Sequence, residues 1–250
     1  MNSSWIKCKF TKSMDTYDDN AHAQKEIAGK LAALVSALYP HMPETVFEVG
    51  CGTGLLTKNI IPLFAGAYYY LNDINEKVEF LMPALFPENN FTFIGGDAQS
   101  VDFPCGMDLA VSSSTVQWFD SLPVFVRKAH RCLSEKGYMF LSTFGKNNLR
   151  EIRRITGRGL EYSSPEVLRN LFSSDFEVLH LFEEEIRVPF NSPVEILSHF
   201  RKTGVNAGCS GTMRTRSDVK SFCDMYGKMF SDGTKVILTY NPVYLVLRKR

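Results

Sequence analysis

The sequence lacks paired cysteine motifs, long apolar runs and a strong net charge, and each absence argues against a class of protein. Its six cysteines are scattered without a C-x-x-C pair, which argues against a disulfide framework or a zinc site and favours a reducing cytoplasm. No stretch of about 18 apolar residues occurs, so we expect no membrane-spanning helix. Near the N-terminus there is no apolar core of the kind that signal peptides contain, and we expect no signal peptide. A formal net charge of +1 gives no general attraction to nucleic acids or membranes.

Strand-like and helix-like segments alternate through the first part of this 250-residue chain, whose length fits one large α/β domain. This alternation predicts βαβ units and a doubly wound, mostly parallel sheet. The predicted strands are 45–49, 67–73, 91–97, 107–114 and 138–145, and the predicted helices are 21–39, 53–64 and 121–137.

The pattern changes after Gly145. Two long strands are predicted at 176–190 and 235–249, with helices between them at 192–205 and 217–230. A helical insertion so late in a regular fold predicts a lid over a site, and the alternative is an excursion that serves packing alone.

A glycine-rich loop follows the first predicted strand in the stretch FEVGCGTG, with glycines at 50, 52 and 54. A dinucleotide-binding loop requires a third glycine at the position of Leu55, so a nicotinamide cofactor is disfavoured. Glu48, two residues before the first glycine, would repel a pyrophosphate and attract a cationic ligand.

This E-x-G-x-G-x-G stretch resembles motif I of the class I S-adenosylmethionine-dependent methyltransferases. The resemblance implies S-adenosyl-L-methionine as cofactor, with Asp73 on its ribose hydroxyls and Asp97 and Ala98 at its adenine. Without a ligand, Asp73 would instead be a helix N-cap and Asp97 a turn residue. The cofactor contacts predicted in this way are Tyr17, Gln24, Glu48, Gly50, Cys51, Gly52, Gly54, Asp73, Ile74, Asp97, Ala98 and Ser113.

Four further segments resemble the malonyl-acyl-carrier-protein O-methyltransferases, which start biotin synthesis. They are FTKSMDTYDDNAHAQKEIAGKL near the N-terminus, SSSTVQWF at 112–119, STFGKNNLREI at 142–152 and SPVEILSHFRKTGVNA at 192–207. The resemblance implies a Rossmann-like methyltransferase fold over 1–250. It also implies a seven-stranded sheet with an antiparallel last strand, a helical cover at 1–44 and a lid insertion at 190–232.

The implied reaction transfers a methyl group to the free carboxylate of malonyl-acyl-carrier protein, or of malonyl-coenzyme A, and yields S-adenosyl-L-homocysteine. A carboxylate, with a pKa of about 4, is already ionised at neutral pH, so no general base is needed. We expect no metal and a monomeric protein. The predicted catalytic residues are Tyr17, Gln117, Trp118 and Arg201.

Other interpretations stay open. The acceptor could be another small acid, a quinone or a polyamine precursor, and the same scaffold could bind a cofactor without catalysis. Tyr17, Trp118 and Tyr162 could be packing residues. Methylation of nucleic acid is disfavoured because no N/D-P-P-Y/F tetrad follows the fourth strand. A run of arginines is either a solvated face or a docking patch for an acidic carrier protein; it comprises Arg127, Arg150, Arg153, Arg154 and Arg158.

Overall fold

The computed structural model describes residues 3–205 and 215–250, and these form a seven-stranded sheet, a two-stranded sheet and the helices that flank them. The strand order of the larger sheet is β3-β2-β1-β4-β5-β9-β6. Its strands are β1 Thr45–Val49, β2 Tyr68–Asp73, β3 Phe91–Gly95, β4 Met107–Ser113, β5 Leu133–Phe144, β6 Phe176–Glu183 and β9 Pro242–Lys249.

The first five strands of this sheet are parallel, and β9 runs antiparallel to both of its neighbours, β5 and β6. The prediction of a mostly parallel seven-stranded sheet with an antiparallel last strand is therefore confirmed. β1 is buried on both faces after its first residue, which is why its sequence is a continuous apolar run apart from Glu48.

The helices are α1 Ser3–Asn20, α2 His22–Leu38, α3 Thr57–Ile60, α4 Leu122–Cys132, α5 Arg150–Thr156, α6 Pro165–Phe172, α7 Pro193–Thr203 and α8 Arg216–Phe230. Short 3₁₀ segments lie at Ile61–Leu63, Glu76–Ala84 and Val116–Trp118. No helix within the described ranges is long and apolar enough to cross a membrane.

Two predicted helices are shorter than their sequence pattern suggested. The helix predicted over 53–64 is only α3 and the following 3₁₀ turn, because residues 51–56 form the loop that precedes α3. The helix predicted over 121–137 ends at Cys132. Leu133 already pairs with Met107 of β4, so strand pairing replaces the helix before Gly137.

The two long strands predicted near the C-terminus are each broken in two. The segment 176–190 divides into β6 and β7 (Ile186–Phe190), and 235–249 divides into β8 (Val236–Tyr240) and β9. The breaks face each other, because Asn241 Nδ2 donates to the Glu184 carbonyl at 2.8 Å. β7 and β8 thereby leave the large sheet and pair with each other.

Helices α7 and α8 lie between β7 and β8 in the chain, at the predicted lid insertion. α7 packs against α1, and Thr16 Oγ1 donates to the Lys202 carbonyl at 2.9 Å. Gly204, which ends α7 at φ +67, lies so close to α1 that a Cβ atom there would stand 2.6 Å from Ser13 Oγ. Residues 206 and 207 of the 192–207 segment and part of the predicted lid lie outside the described residues.

Candidate functional site

A pocket opens at the carboxyl ends of β1, β2, β3 and β4. This is the edge at which open α/β sheets bind ligands. Twelve residues predicted as site residues line it, namely Tyr17, Gln24, Glu48, Gly50, Cys51, Gly52, Asp73, Ile74, Asp97, Ala98, Ser113 and Trp118. We call it the first cavity.

The glycine loop forms the floor of the first cavity. The N–H groups of Gly50 and Cys51 both donate to the Asn72 carbonyl, which ties the loop to the end of β2. A Cβ atom on Gly50 would lie 2.8 Å from Thr115 Cβ, so only glycine fits beside that side chain.

Gly52 and Gly54 have different roles in the same loop. A Cβ atom on Gly52 would meet no protein atom within 4 Å, so the space beside it belongs to the first cavity. A Cβ atom on Gly54 would stand 2.6 Å from Leu85 Cδ1, and Gly54 does not line the cavity. The absence of a side chain at Gly52 therefore leaves space for a ligand, whereas its absence at Gly54 leaves space for the Leu85 side chain.

Asp73 ends β2 and braces the loop. Its Oδ2 accepts from the Gly52 N–H at 2.9 Å and its Oδ1 from the Asn75 N–H at 2.7 Å. Burial raises the pKa of this carboxyl, and the two backbone hydrogen bonds oppose that rise. Each oxygen retains a lone pair, so the carboxylate can still accept from a vicinal diol.

Glu48 is an acid with 2% of its surface exposed, and its Oε2 accepts from Thr57 Oγ1 at 2.7 Å. Burial raises its pKa to about 8, which the Thr57 hydrogen bond opposes and the Asp73 charge reinforces. A cation in the first cavity would favour the ionised form of Glu48. Burial also raises the pKa of the neighbouring Cys51 thiol, so Cys51 is no nucleophile and acts as a small wall residue.

Asp97 and Ala98 lie on the loop after β3, and the Asp97 Oδ1 accepts from the Gln99 N–H at 2.9 Å. A lysine of α4, Lys128, holds this loop in place. Lys128 Nζ donates to the carbonyls of Ala98 (2.9 Å) and Val101, and it lies 4.0 Å from the Phe103 ring centroid. Nothing in the motif pattern pointed to Lys128, because a lone lysine on an amphipathic helix carries no signal.

Helix α1 forms the roof of the first cavity. Its residues Phe10, Met14 and Tyr17 line the cavity, and Asp18 holds the glycine loop through the Thr53 hydroxyl and Lys58. Burial, with nearby negative charge from Asp18 and Asp73, raises the pKa of Tyr17. Its hydroxyl therefore remains protonated and can donate a hydrogen bond, but it cannot serve as a base.

A second, smaller cavity adjoins the first. The two cavities share a wall, and the residues of this shared wall are Phe10, Tyr17, Gln24, Ser114 and Trp118. Phe10 and Trp118 meet edge to face across it at 5.7 Å. Gln117, predicted as catalytic, lines the second cavity only.

Sequence analysis did not single out several residues of the second cavity. Ser114, Asn148 and Leu149 line it, and they lie in the family-like segments 112–119 and 142–152, but none of them was predicted as a site residue. Tyr162, for which a packing role was an open alternative, also lines it, and burial raises the pKa of its hydroxyl to about 12. These residues are far apart in the chain, so only the fold brings them together.

Arg201 is not brought to either cavity. The buried face of α7 consists of Ile196, His199, Phe200 and Thr203, and Arg201 is exposed because it lies off that helical stripe. In the described part of the chain, no lysine, arginine or histidine lines the two cavities. The prediction that Arg201 is a catalytic residue therefore has no support in this geometry.

The first cavity fits a cationic nucleoside-type ligand on three counts. Three acids surround it, Gly52 leaves space beside its backbone, and Gln24 has a buried Oε1 without a hydrogen-bond partner. Gln24 is only 5% exposed, so a ligand ammonium would supply the missing donor.

Comparison with known proteins relates the chain to methyltransferases. Residues 47–141 match the family described as a methyltransferase domain. The chain is 39% identical, over 98% of its length, to the malonyl-[acyl-carrier protein] O-methyltransferase of Bacteroides fragilis, of which it covers 50%. It is 36% identical, over 100% of its length, to the protein of the same name from Bacteroides thetaiotaomicron, of which it covers 99%.

Solved structures share the fold. The YcgJ protein of Bacillus subtilis has a TM-score of 0.62 and 15% identity, with 88% of this chain and 98% of that chain covered. The N-methyltransferase NodS of Bradyrhizobium japonicum WM9, in complex with S-adenosyl-L-homocysteine, has a TM-score of 0.52 and 10% identity, with 90% and 86% covered. At such identities the similarity concerns the fold alone.

Proposed function

Since the chain belongs to the malonyl-[acyl-carrier protein] O-methyltransferase family, we propose that it methylates the free carboxylate of a malonyl group carried by an acyl carrier protein. S-adenosyl-L-methionine is the proposed methyl donor, and S-adenosyl-L-homocysteine the second product. The observation that carries the proposal is the pair of adjoining cavities, because group transfer needs two ligands that meet at one wall. The near-full-length similarity to the Bacteroides thetaiotaomicron protein supports malonyl-acyl-carrier protein as the acceptor.

The first cavity is the proposed cofactor site. Asp73 would hold the ribose hydroxyls, Asp97 and Ala98 the adenine, and Glu48 and Gln24 the cationic methionine end. Gly50, Cys51 and Gly52 present their backbone to the same end, with Ile74 and Ser113 as further wall residues. When bound, the cofactor supplies an electrophilic methyl group on its sulfonium.

The shared wall is where we place the reaction. Phe10, Tyr17 and Trp118 put aromatic rings between the two cavities, where they would exclude water from the boundary. Positive and negative charge cancel when a carboxylate attacks a sulfonium, so a dry boundary favours the transition state. No proton needs to be removed, which agrees with a Tyr17 hydroxyl that stays protonated.

Helices α1, α7 and α8 form the proposed cover and lid over this boundary, within a single methyltransferase domain. The Thr16 contact to the Lys202 carbonyl joins the cover to the lid. Closure of both over the two cavities would align carboxylate and methyl group and keep water out.

An acidic carrier protein would dock beside the second cavity. Arg154 and Arg158 are exposed, and in the sequence they precede the cavity residues Leu160 and Tyr162. Arg150 instead pairs with Glu185, and Arg153 donates to the Lys146 carbonyl. Arg154 and Arg158 therefore carry positive charges that are free to attract an acidic carrier protein.

The product is proposed to begin the pimeloyl moiety of biotin, because an esterified malonyl end resembles the apolar end of a growing fatty acid. The described cysteines are all free, which supports the proposed cytoplasmic location. We propose a monomer.

The proposal is tested with malonyl-acyl-carrier protein and S-adenosyl-L-methionine. Intact mass spectrometry should show that the carrier gains the mass of one CH₂ group, and an esterase should reverse the gain. No gain, with cofactor binding still present by calorimetry, would reject the carboxyl acceptor and leave another small acid or a quinone to be screened. Malonyl-coenzyme A in the same assay measures how far the carrier itself is needed.

A further inference from the structure

Buried polar atoms without a partner gather at the second cavity. In the described part of the chain four such side-chain atoms occur, and three belong to residues of this cavity: Gln24 Oε1, Ser114 Oγ and Gln117 Oε1. A buried polar group is normally hydrogen-bonded, since an unmade bond destabilises the fold. Gln24 lies on the shared wall and its partner would come from the ligand of the first cavity, so Ser114 Oγ and Gln117 Oε1 are the atoms that indicate a ligand in the second cavity.

Two residues with a strained backbone conformation also line the second cavity. Only three non-glycine residues of the described chain have positive φ, and Ser114 (φ 53) and Leu149 (φ 51) both line the second cavity. The Ser114 N–H is held by the Ser142 carbonyl at 3.0 Å, and the Leu149 N–H by the Thr239 carbonyl at 2.8 Å. Strained residues that the surroundings hold in place mark ligand sites.

The orientation of the Gln117 amide follows from its neighbour. Its Nε2 donates to the Ser114 carbonyl at 2.6 Å. Turning the amide over would bring two oxygens together at that distance, so Oε1 remains the free end. Gln117 therefore offers an acceptor, and its ligand must bring a donor.

Tyr162, in contrast to Gln117, offers a hydrogen-bond donor. Its hydroxyl oxygen accepts from Asn148 Nδ2 at 2.9 Å, which leaves its own proton to donate. The Ser114 hydroxyl can donate as well. Apart from Tyr17 and Gln24 on the shared wall, the second cavity thus combines two hydroxyl donors with one amide acceptor, on aromatic walls that include Phe144 and Tyr240.

A malonyl thioester alone does not match this set. Its carboxylate and its thioester carbonyl only accept hydrogen bonds. The nearest donor on the acceptor is the first amide N–H of the pantetheine arm, two carbons beyond the sulfur.

We propose that Gln117 is a specificity-determining residue that accepts a hydrogen bond from this amide N–H, while Ser114 and Tyr162 donate to oxygens of the acyl group. The proposal rests on the proposed function, and it explains how a thioester of pantetheine is distinguished from free malonate. Gln24 lies on the shared wall, and we assign its free Oε1 atom to a hydrogen bond with the cofactor.

The test uses two malonyl thioesters that differ at one position. Malonyl-N-acetylcysteamine carries the amide N–H, and its analogue carries an ester oxygen in place of that N–H. For the wild-type protein we expect kcat/KM to be about tenfold higher with the amide. For Gln117→Leu the ratio of the two values should fall to about one.

Tyr162→Phe is the matched control variant. It removes a donor to oxygens that both thioesters contain, so it should lower kcat/KM for both and keep their ratio. Unchanged melting temperature and cofactor affinity in each variant show that the fold and the first cavity are intact.

Three outcomes would overturn the assignment of Gln117: a wild-type ratio of about one, a Gln117→Leu variant that retains the wild-type ratio, or methylation of malonyl-carrier protein with neither small thioester accepted. If malonyl-carrier protein is itself not methylated while the cofactor binds, the proposed function fails instead.

Discussion

The hydroxyl of Tyr240 lies 2.6 Å from the Nε2 atom of His199, and this contact joins helix α7 of the proposed lid to strand β8. His199 is 6% exposed and packs between the rings of Phe190 and Phe200. Tyr240 lines the second cavity. A single buried pair therefore connects helix α7 to a wall of the second cavity.

Acid should loosen this contact. Burial, together with the charges of His22 and Lys202, lowers the pKa of His199 from 6.5 to about 4. Between these values the unfolded chain binds a proton at His199 that the folded chain excludes, so the free energy of unfolding falls as pH falls. We expect a loss of about 2 kcal/mol from this residue between pH 7 and pH 5, measured by urea unfolding.

His199→Gln should remove that part of the pH dependence, although it lowers stability at neutral pH through the altered contact. His180 on β6 is exposed, and His180→Gln is the matched control. Equal slopes of stability against pH in wild type and His199→Gln would contradict the assignment.

Cofactor binding should release a proton from Glu48. Burial raises the pKa of Glu48 to about 8, so it is mostly protonated at pH 7 before a cation binds. A cationic ligand lowers that pKa, the proton leaves, and affinity rises with pH until Glu48 is ionised in the free protein too. Calorimetry in two buffers of different ionisation enthalpy should show about one proton released near pH 7.

In Glu48→Gln that release should disappear, because the amide does not titrate and can still accept from the Thr57 hydroxyl. If wild type and variant release the same number of protons, the proton comes from a residue other than Glu48.

Gly52→Ala should weaken cofactor binding more than it destabilises the fold. The new methyl group meets no protein atom and occupies ligand space, while the positive φ of +52 costs about 1 kcal/mol of stability. Gly106 has φ +77 and equally open space but lies outside both cavities, so Gly106→Ala is the matched control. We expect a cofactor Kd at least about tenfold higher in Gly52→Ala only. If both variants bind the cofactor alike, the ligand does not lie beside Gly52.

Lys128→Met should lower cofactor affinity through the loop after β3. Methionine keeps the apolar stem but loses the donor to the Ala98 and Val101 carbonyls, so the loop that carries Asp97 becomes less fixed. A loss of about 1 kcal/mol in binding, with kcat unchanged at saturating cofactor, is the expected result. Lys136 is exposed, and Lys136→Met is the control. If kcat falls while cofactor affinity is unchanged, Lys128 does not act through the loop that carries Asp97.

Local sequence was sufficient for the first five strands and the glycine loop. The run at 45–49 predicts a buried strand because both faces of a central parallel strand need apolar side chains. The acids at 48, 73 and 97 predict a ligand site because the carboxyl ends of neighbouring parallel strands meet at one edge. The structure places all three on one cavity.

Local sequence was not sufficient where distant segments converge. Ser114 and Tyr162 share a cavity only because the chain beyond β5 returns to the end of β4. The break that separates β6 from β7 depends on Asn241, more than fifty positions away. The face on which Arg201 lies is set by the packing of α7 on α1 and β7, which composition does not reveal.

The place of β9 in the sheet has a consequence for protein synthesis. β6 is an edge strand whose neighbour in the sheet is β9, and β9 also covers the side of β5. A growing chain that has delivered β6 from the ribosome but not yet β9 therefore leaves β5 with an open edge and β6 without a pairing partner. The seven-stranded sheet closes only when residues 242–249 emerge, and chaperones that shield strand edges should act before that moment.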